Sequence, residues 1–437
     1  MFRHIKIQLQ KLKLNKTEYV LLFLFILNFS VFLTALIGEN FIIEAWRKKT
    51  SETDNQLVAK LEDIINRNQD SKPNQSVIEL LQKIHKDLTD SSDVAYLQVE
   101  ELQLRRLFNE LSTDRIPKLD VQTIDTINRK SNQIESLLSE LKHVQAFPLN
   151  QNTFSEINLE KIITNSFYIR KLDLKHEFPS NVIDLLLVNS VYSLNSGNIQ
   201  KAISSIEAVS KATLQSGIIS SHEQPFHHNI SYRYKLDFLL RKLPSVPLKT
   251  HQKFASYNSN ARGFISEQIR LESLVISNYT YRYVRSQEGR DFFGFSSLQK
   301  ILFFYFIQGE HIKLNEYLTN LKANLHNCKK MINLPREENH PYSYVHGNIL
   351  YGIHSDLTWE LTLKILEVKE LATALKKYPK NIKGIEISKV CSDLNYEYKS
   401  LDNGNRMYIG LAQLNDLGLS NFWKLGLFYE TKSPLKE

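Results

Sequence analysis

The sequence predicts a mainly α protein with an N-terminal transmembrane helix, a helical bundle with αα-hairpins, and a small C-terminal α+β unit carrying an antiparallel sheet. Three observations lead there. Glycine (14) and proline (11) are scarce in 437 residues, roughly half of the usual shares, so the breakers that punctuate β-rich chains are few. Apolar residues recur every three or four positions through most of the chain, the period of one helix face. After Val390 the period changes to two, interrupted by turn residues, as in short strands.

A hydrophobic share of 42% with 23% charged residues allows a sizeable core and excludes a disordered or collagenous chain. Basic residues number 55 and acidic 47, a net charge of +8. The two signs are interspersed, as on a solvated surface, so no nucleic-acid partner is expected. The exception is residues 1–18, where Arg3, Lys6, Lys11, Lys13 and Lys16 precede any acidic residue and read as a cytoplasmic membrane flank.

Tyr19 to Ile37 follows without a charge. At 1.5 Å per residue this length crosses a hydrocarbon core of about 30 Å. The exit Thr34-Ala35-Leu36-Ile37-Gly38 lacks paired small residues for signal cleavage, so 19–37 reads as an uncleaved anchor. Membrane is therefore an expected partner, through one span. Asn28 sits mid-span, where its amide is either tolerated singly or used as an intramembrane contact between helices.

Residues 40–147 read as a helical stalk or bundle. Leu57, Leu61, Ile64 and Ile65 form a first stripe; Ser76 and Glu79 have capping-box spacing ahead of Val77, Leu80, Leu81, Ile84 and Leu88. Leu97, Leu104, Leu107 and Leu111 follow. Ile124, Ile127, Ile134, Leu138 and Leu141 then form a narrow a/d-like stripe, which suits a bundle interior or a seam against a protein partner or a second copy. Pro73 and Pro117 exclude one uninterrupted coiled coil.

Residues 155–330 read as a helical-hairpin domain, entered past Pro148. Val182 to Ala212 forms two helices joined at Ser196-Gly197-Asn198. Helices are also expected over Tyr232 to Leu243 and Gly263 to Tyr283, with Phe292 to Ile307 as a buried helix and Leu314 to Leu325 continuing the pattern. The terminal unit, 355–430, begins with a helix through Trp359, Leu363, Leu366 and Leu375 that stops at Lys376, Lys377 and Pro379. Leu394, Tyr396 and Tyr398 then alternate, Asp402-Asn403-Gly404-Asn405 supplies a turn, and Met407 to Leu411 returns. Trp423, Leu425, Leu427 and Tyr429 alternate as a further strand.

Motifs for common chemistries are missing. There is no Gly-x-Gly-x-x-Gly, and Gly289 to Gly294 continues into Phe295-Ser296 where a phosphate loop needs lysine and a hydroxyl. His222, His227 and His228 have Pro225 among them and break zincin spacing; they read as a solvated loop. His340, His346 and His354 spread over a Tyr-rich loop. No catalytic residue, cofactor or metal ligand is assigned. Cys328 and Cys391 lack metal or CxxC spacing; they are either one disulfide or two buried thiols, and spacing leaves both open.

The segments LNSGNIQKAISSI, GNILYGIHSDLTWELTLKILEVKELATAL and VCSDLNYEY follow the anchor in order. With them, Val182 to Lys399 resembles uncharacterised bacterial single-span inner-membrane proteins that carry large helical periplasmic domains. The resemblance implies a cytoplasmic N-terminus and a periplasmic bulk, and it brings no activity or site residue. A eukaryotic secretory-pathway membrane is the other setting. Two functions fit: an interaction or scaffold protein of an envelope assembly, or a stalk-displayed periplasmic or lumenal enzyme such as a metal-independent transferase. A sensor is disfavoured by the short stretch before the anchor.

Overall fold

The structure is a computed structural model that describes chiefly residues 17–31, 75–91, 110–143, 180–214, 223–244, 327–332, 343–412 and 426–432, with isolated positions elsewhere. The chain divides into two units, 1–57 with 274–316 and 58–273 with 317–437. The expected helices at 263–283 and 292–307, and most of the stripes at 57–65 and 97–107, lie outside the described residues, as do Trp423 and Leu425.

In the first unit, a helix runs through 17–31. Asn15 and Glu18 form a reciprocal cap: Glu18 N–H donates to Asn15 Oδ1 (2.9 Å) and Asn15 N–H to Glu18 Oε2 (2.8 Å). Its apolar side chains point outward, with Val20, Phe25 and Phe29 all more than half exposed. Among the described residues no helix is long and apolar enough to cross a membrane. Residues 32, 35 and 36 of the expected span lie outside them. The Asn28 amide donates to Leu24 O of its own helix (2.9 Å).

The second unit contains α1 (Gln75–Asp90), α2 (Val121–His143), α3 (Ser180–Asn195), α4 (Ile199–Leu214), α5 (Glu223–Lys242), α6 (Cys328–Ile332) and α7 (Ser343–Leu375), then β1 (Tyr396–Leu401), β2 (Arg406–Leu411) and β3 (Phe428–Glu430). Asp120 starts α2, its carboxylate accepting from Thr123 N–H (2.7 Å) and Thr123 Oγ1 (2.8 Å); these bonds hold its pKa below the usual value. The α3–α4 hairpin turns where the sequence places it. Gly197 adopts φ +73°, Asn198 N–H reaches Ser193 O (2.8 Å) and Gly197 N–H reaches Leu194 O (3.2 Å), the two bonds of a Schellman closure. Asn198 Oδ1 then caps α4 at Lys201 N–H (3.1 Å).

The stripe on α2 is filled by this chain itself. Ile127, Ile134, Leu138 and Leu141 are buried, while Ile124 is half-buried. Leu81, Ile84 and Leu88 of α1 belong to the same core, and α1, α3 and α4 all pack on α2. Polar ties reinforce this packing: Gln133 to Asp87 (2.6 Å), Lys201 to Glu135 (2.9 Å) and Asn195 to Pro117 O (2.8 Å). The stripe looked narrow because Leu137, Thr123 and Thr126, all 0% exposed, widen it to an ordinary bundle face. Within this one chain the stripe serves as bundle interior.

Two boundaries also move. Of the Tyr-rich loop expected at 340–354, residues 343–354 form the first third of α7, and the loop with His227 and His228 is the first turns of α5. Helix α7 is enclosed on nearly every side from Leu350 to Lys369, so tertiary burial outweighs the weak helix preference of Gly352. Pro225 falls in the first turn of α5, where its missing N–H costs nothing.

The sheet order is β1-β2-β3, antiparallel throughout, in the register Tyr396↔Leu411 and Tyr408↔Glu430. The β1–β2 connection is a 3₁₀ turn with Asp402 and Asn403 at positive φ. Gly404 (φ +98°) brings its carbonyl to Tyr378 N–H (2.8 Å), and a Cβ there would meet Lys377 and Tyr378 at 3.2 Å. Thr113 bridges to Glu430 in parallel, so the 110–113 segment borders β3. The described residues of 75–143, 180–244 and 327–432 all fall within this one unit.

Candidate functional site

The most chemically loaded region of the described residues lies where α5 packs on α7. The sequence RYKLDFLLR sets Arg233, Asp237 and Arg241 four residues apart on α5, hence on one face. All three are buried, Arg241 and Asp237 completely. Against them α7 presents Asp356, Thr358, Trp359 and Thr362, and the ends of this face meet the sheet and the 110–113 segment.

Arg241 spends its guanidinium on four acceptors: Thr362 Oγ1 (2.9 Å), Leu111 O (2.9 Å), Thr358 O (3.0 Å) and Gly426 O (2.8 Å). Burial lowers its pKa to about 10, opposed by Asp237. Lys242 donates to Glu110 O (2.6 Å) and Thr113 O and lies over the Phe238 ring. Lys369 donates to Arg241 O (2.5 Å) and Leu243 O (2.8 Å) with Tyr429 beneath it. Burial lowers both lysines to about 7. Aromatic faces and main-chain carbonyls replace the lost water.

Arg233 pairs with Asp356 at 3.0 Å in the interior and lies 5.5 Å from the Trp359 ring. Next to it, Tyr234 Oη and His354 Nδ1 are 2.6 Å apart; burial pushes the phenol well above its usual pKa, so it serves as a donor rather than a base. Asp237 stands apart: neither carboxyl oxygen meets a donor in hydrogen-bond geometry among the described residues, and the Thr362 hydroxyl beside it, which favours the ionised form, is turned to Thr358 O. Burial raises it to about 6 against the opposing pull of Arg241 and Arg233.

A second cluster fixes the loop before β1. Glu360 accepts from Ser388 Oγ (2.7 Å), Lys389 N–H (2.6 Å) and Tyr396 Oη (3.2 Å), and Lys364 donates to Ile385 O (2.8 Å) and Ile387 O (2.9 Å). This loop carries Cys391, which is bonded to Cys328 with a Cα separation of 5.6 Å. Asp393 caps α6 through Cys328 N–H (3.0 Å) and Lys329 N–H (2.7 Å).

The arrangement holds chain segments together: its cations end on carbonyls of residues 110–113, 241–243, 385–387 and 426. Among the described residues no group of His, Cys, Asp and Glu is placed to hold a metal. His222 and His340, and the side chains of His227, His228 and His346, lie outside the described residues; His354 is interior. Sequence reading passed over the α5 face, although charges at i, i+4 and i+8, with Leu236, Phe238, Leu239 and Leu240 among them, were the available signal. No family model matches the chain, and no curated protein and no solved structure matches it.

Proposed function

We propose that this chain is a single-span, membrane-anchored helical protein of a bacterial envelope, N-terminus in the cytoplasm and bulk in the periplasm, acting as an interaction or scaffold protein. The observation that carries the compartment is the Cys328–Cys391 bond, since structural disulfides persist where thiols are kept oxidised. The outward apolar side chains of the 17–31 helix, preceded by the basic flank, support lipid as their surroundings. Asn28 suits that setting, because its amide hydrogen is spent on its own helix. For the scaffold role the support is the use made of the buried cations, which brace segments distant in sequence.

A reporter active only outside the cytoplasm, fused after Glu437, is expected to work; activity only as a cytoplasmic reporter overturns the topology. Purification of the full chain in mild detergent is expected to bring a stoichiometric partner or a self-assembly. A monomer that recovers alone at cellular expression level counts against the scaffold role.

A further inference from the structure

Asp237 has Arg233 one turn before it and Arg241 one turn after it on α5. It is 0% exposed, and neither carboxyl oxygen has a hydrogen-bond partner among the described residues. A buried carboxylate that accepts nothing is a costly state. Donors are near but committed. Arg233 serves Asp356, and Arg241 serves Thr362 Oγ1 with three carbonyls. The Thr362 hydroxyl, beside the carboxyl, gives its proton to Thr358 O (2.9 Å).

The charged and titratable surroundings are mixed. On α5 they are Arg233, Tyr234 and Arg241; from α7 Asp356 faces the same space and opposes ionisation. Around Arg241 stand Lys369 of α7 and Tyr396 and Tyr429 of the sheet. Arg241 thus binds its carbonyls directly, while the Asp237 carboxylate, one turn away on the same helix, acts on it only through its charge. Spacing of four residues is that at which Asp and Arg pair on a helix, and a charged bidentate pair is stronger than bonds to neutral carbonyls.

We infer that Arg241 is a proton-controlled latch: with Asp237 neutral it ties Leu111 and Gly426 to α7, and on ionisation of Asp237 its guanidinium turns to the carboxylate and releases both segments. The released pieces flank β3 on either side of its pairing with Thr113, where Glu430 N–H is bonded to Ser112 O (3.0 Å). Release therefore opens the outer edge of the sheet. Two discrete hydrogen-bond arrangements biased by one proton make a bistable element.

Hydrogen exchange on the full chain in detergent tests this, with protection corrected for intrinsic pH dependence and referred to amides of α4. Between about pH 5 and about pH 8 the amides of Thr113 and Glu430 are expected to lose roughly tenfold in protection, the ratio carried by one unit of pKa difference. Asp237→Asn is expected to keep the low-pH protection at both. Unchanged relative protection in the wild type overturns the latch, as does a drop that persists in Asp237→Asn. Lys242 also holds residues 110–113, so Lys242→Met is the second variant: the drop survives there if Asp237 drives it, and vanishes if the lysine does.

Discussion

The ammonium of Lys369 on α7 donates to the main-chain oxygen of Arg241 at 2.5 Å and to that of Leu243 at 2.8 Å, so one helix closes the C-terminus of another. The last carbonyls of a helix have no partner within it, and a cation there also meets the negative end of the helix dipole. Lys369→Met keeps the stem and removes the donors. The expected cost is about 2 kcal/mol from buried carbonyls left unpaired, read as a lower denaturant midpoint with the native helix signal intact. A midpoint equal to wild type would mean that water or Tyr429, whose Oη already reaches Arg241 O at 3.3 Å, replaces the lysine fully.

The pH dependence of stability has two limbs of opposite sign. Asp237 is raised from 3.8 to about 6, so the folded chain holds more protons than the unfolded one in that window, and stability falls as pH rises through it. Lys242 and Lys369 are lowered from 10.5 to about 7. Between those values the unfolded chain holds more protons, and stability rises with pH. A shallow minimum near neutral pH is expected in thermal or urea midpoints. Lys369→Met should flatten the alkaline limb and leave the acid one. A single maximum at neutral pH in the wild type would contradict both assignments.

What the sequence discloses follows from which signals are local. The turn at Gly197, the stop of α7 at Lys376 (φ 55°) with Lys377 N–H on Ala372 O (3.1 Å), and the β1–β2 hairpin are written in a few adjacent residues, and all three are found where the sequence puts them. The start of α7 is not local. Gly347, Gly352 and the nearby tyrosines suggest a loop, and the helix that runs from Ser343 is buried along most of its length from Leu350 onward, by partners distant in sequence. The α5–α7 polar face was equally hidden, because the partners of Arg241 are a hundred or more residues away in sequence: Leu111, Thr358 and Gly426. The cysteines were visible as a pair, but their bond depends on Glu360, Lys364 and Asp393 setting the loop against α6 and α7.

The disulfide joins residues 63 apart in sequence, and both cysteines are 0% exposed. Replacing both by serine is expected to lower stability by about 3 kcal/mol, mainly through freedom returned to the unfolded chain. Added reductant should produce no free thiol in the native protein over the time in which it opens the bond in denaturant. Rapid reduction of the native chain would show that the bond is reachable without unfolding, contrary to its burial.

The α2 stripe gives the sharpest separation between interior and interface. Ile134 is 0% and Leu138 8% exposed within this one chain, in the core that Leu81, Ile84 and Leu88 of α1 also form. Ile134→Asp with Leu138→Asp places two carboxylates there without donors, and each costs several kcal/mol unless it is protonated or driven into water. Domain stabilities lie at roughly 5–15 kcal/mol. The double variant is therefore expected to lose helix signal and cooperative melting together, with the hairpin of α3 and α4 affected because both pack on α2. Wild type and variant should be compared at matched concentration, since association would stabilise the folded state by mass action. An intact helix signal with a loss of self-association alone would return the stripe to the surface, as a seam between chains.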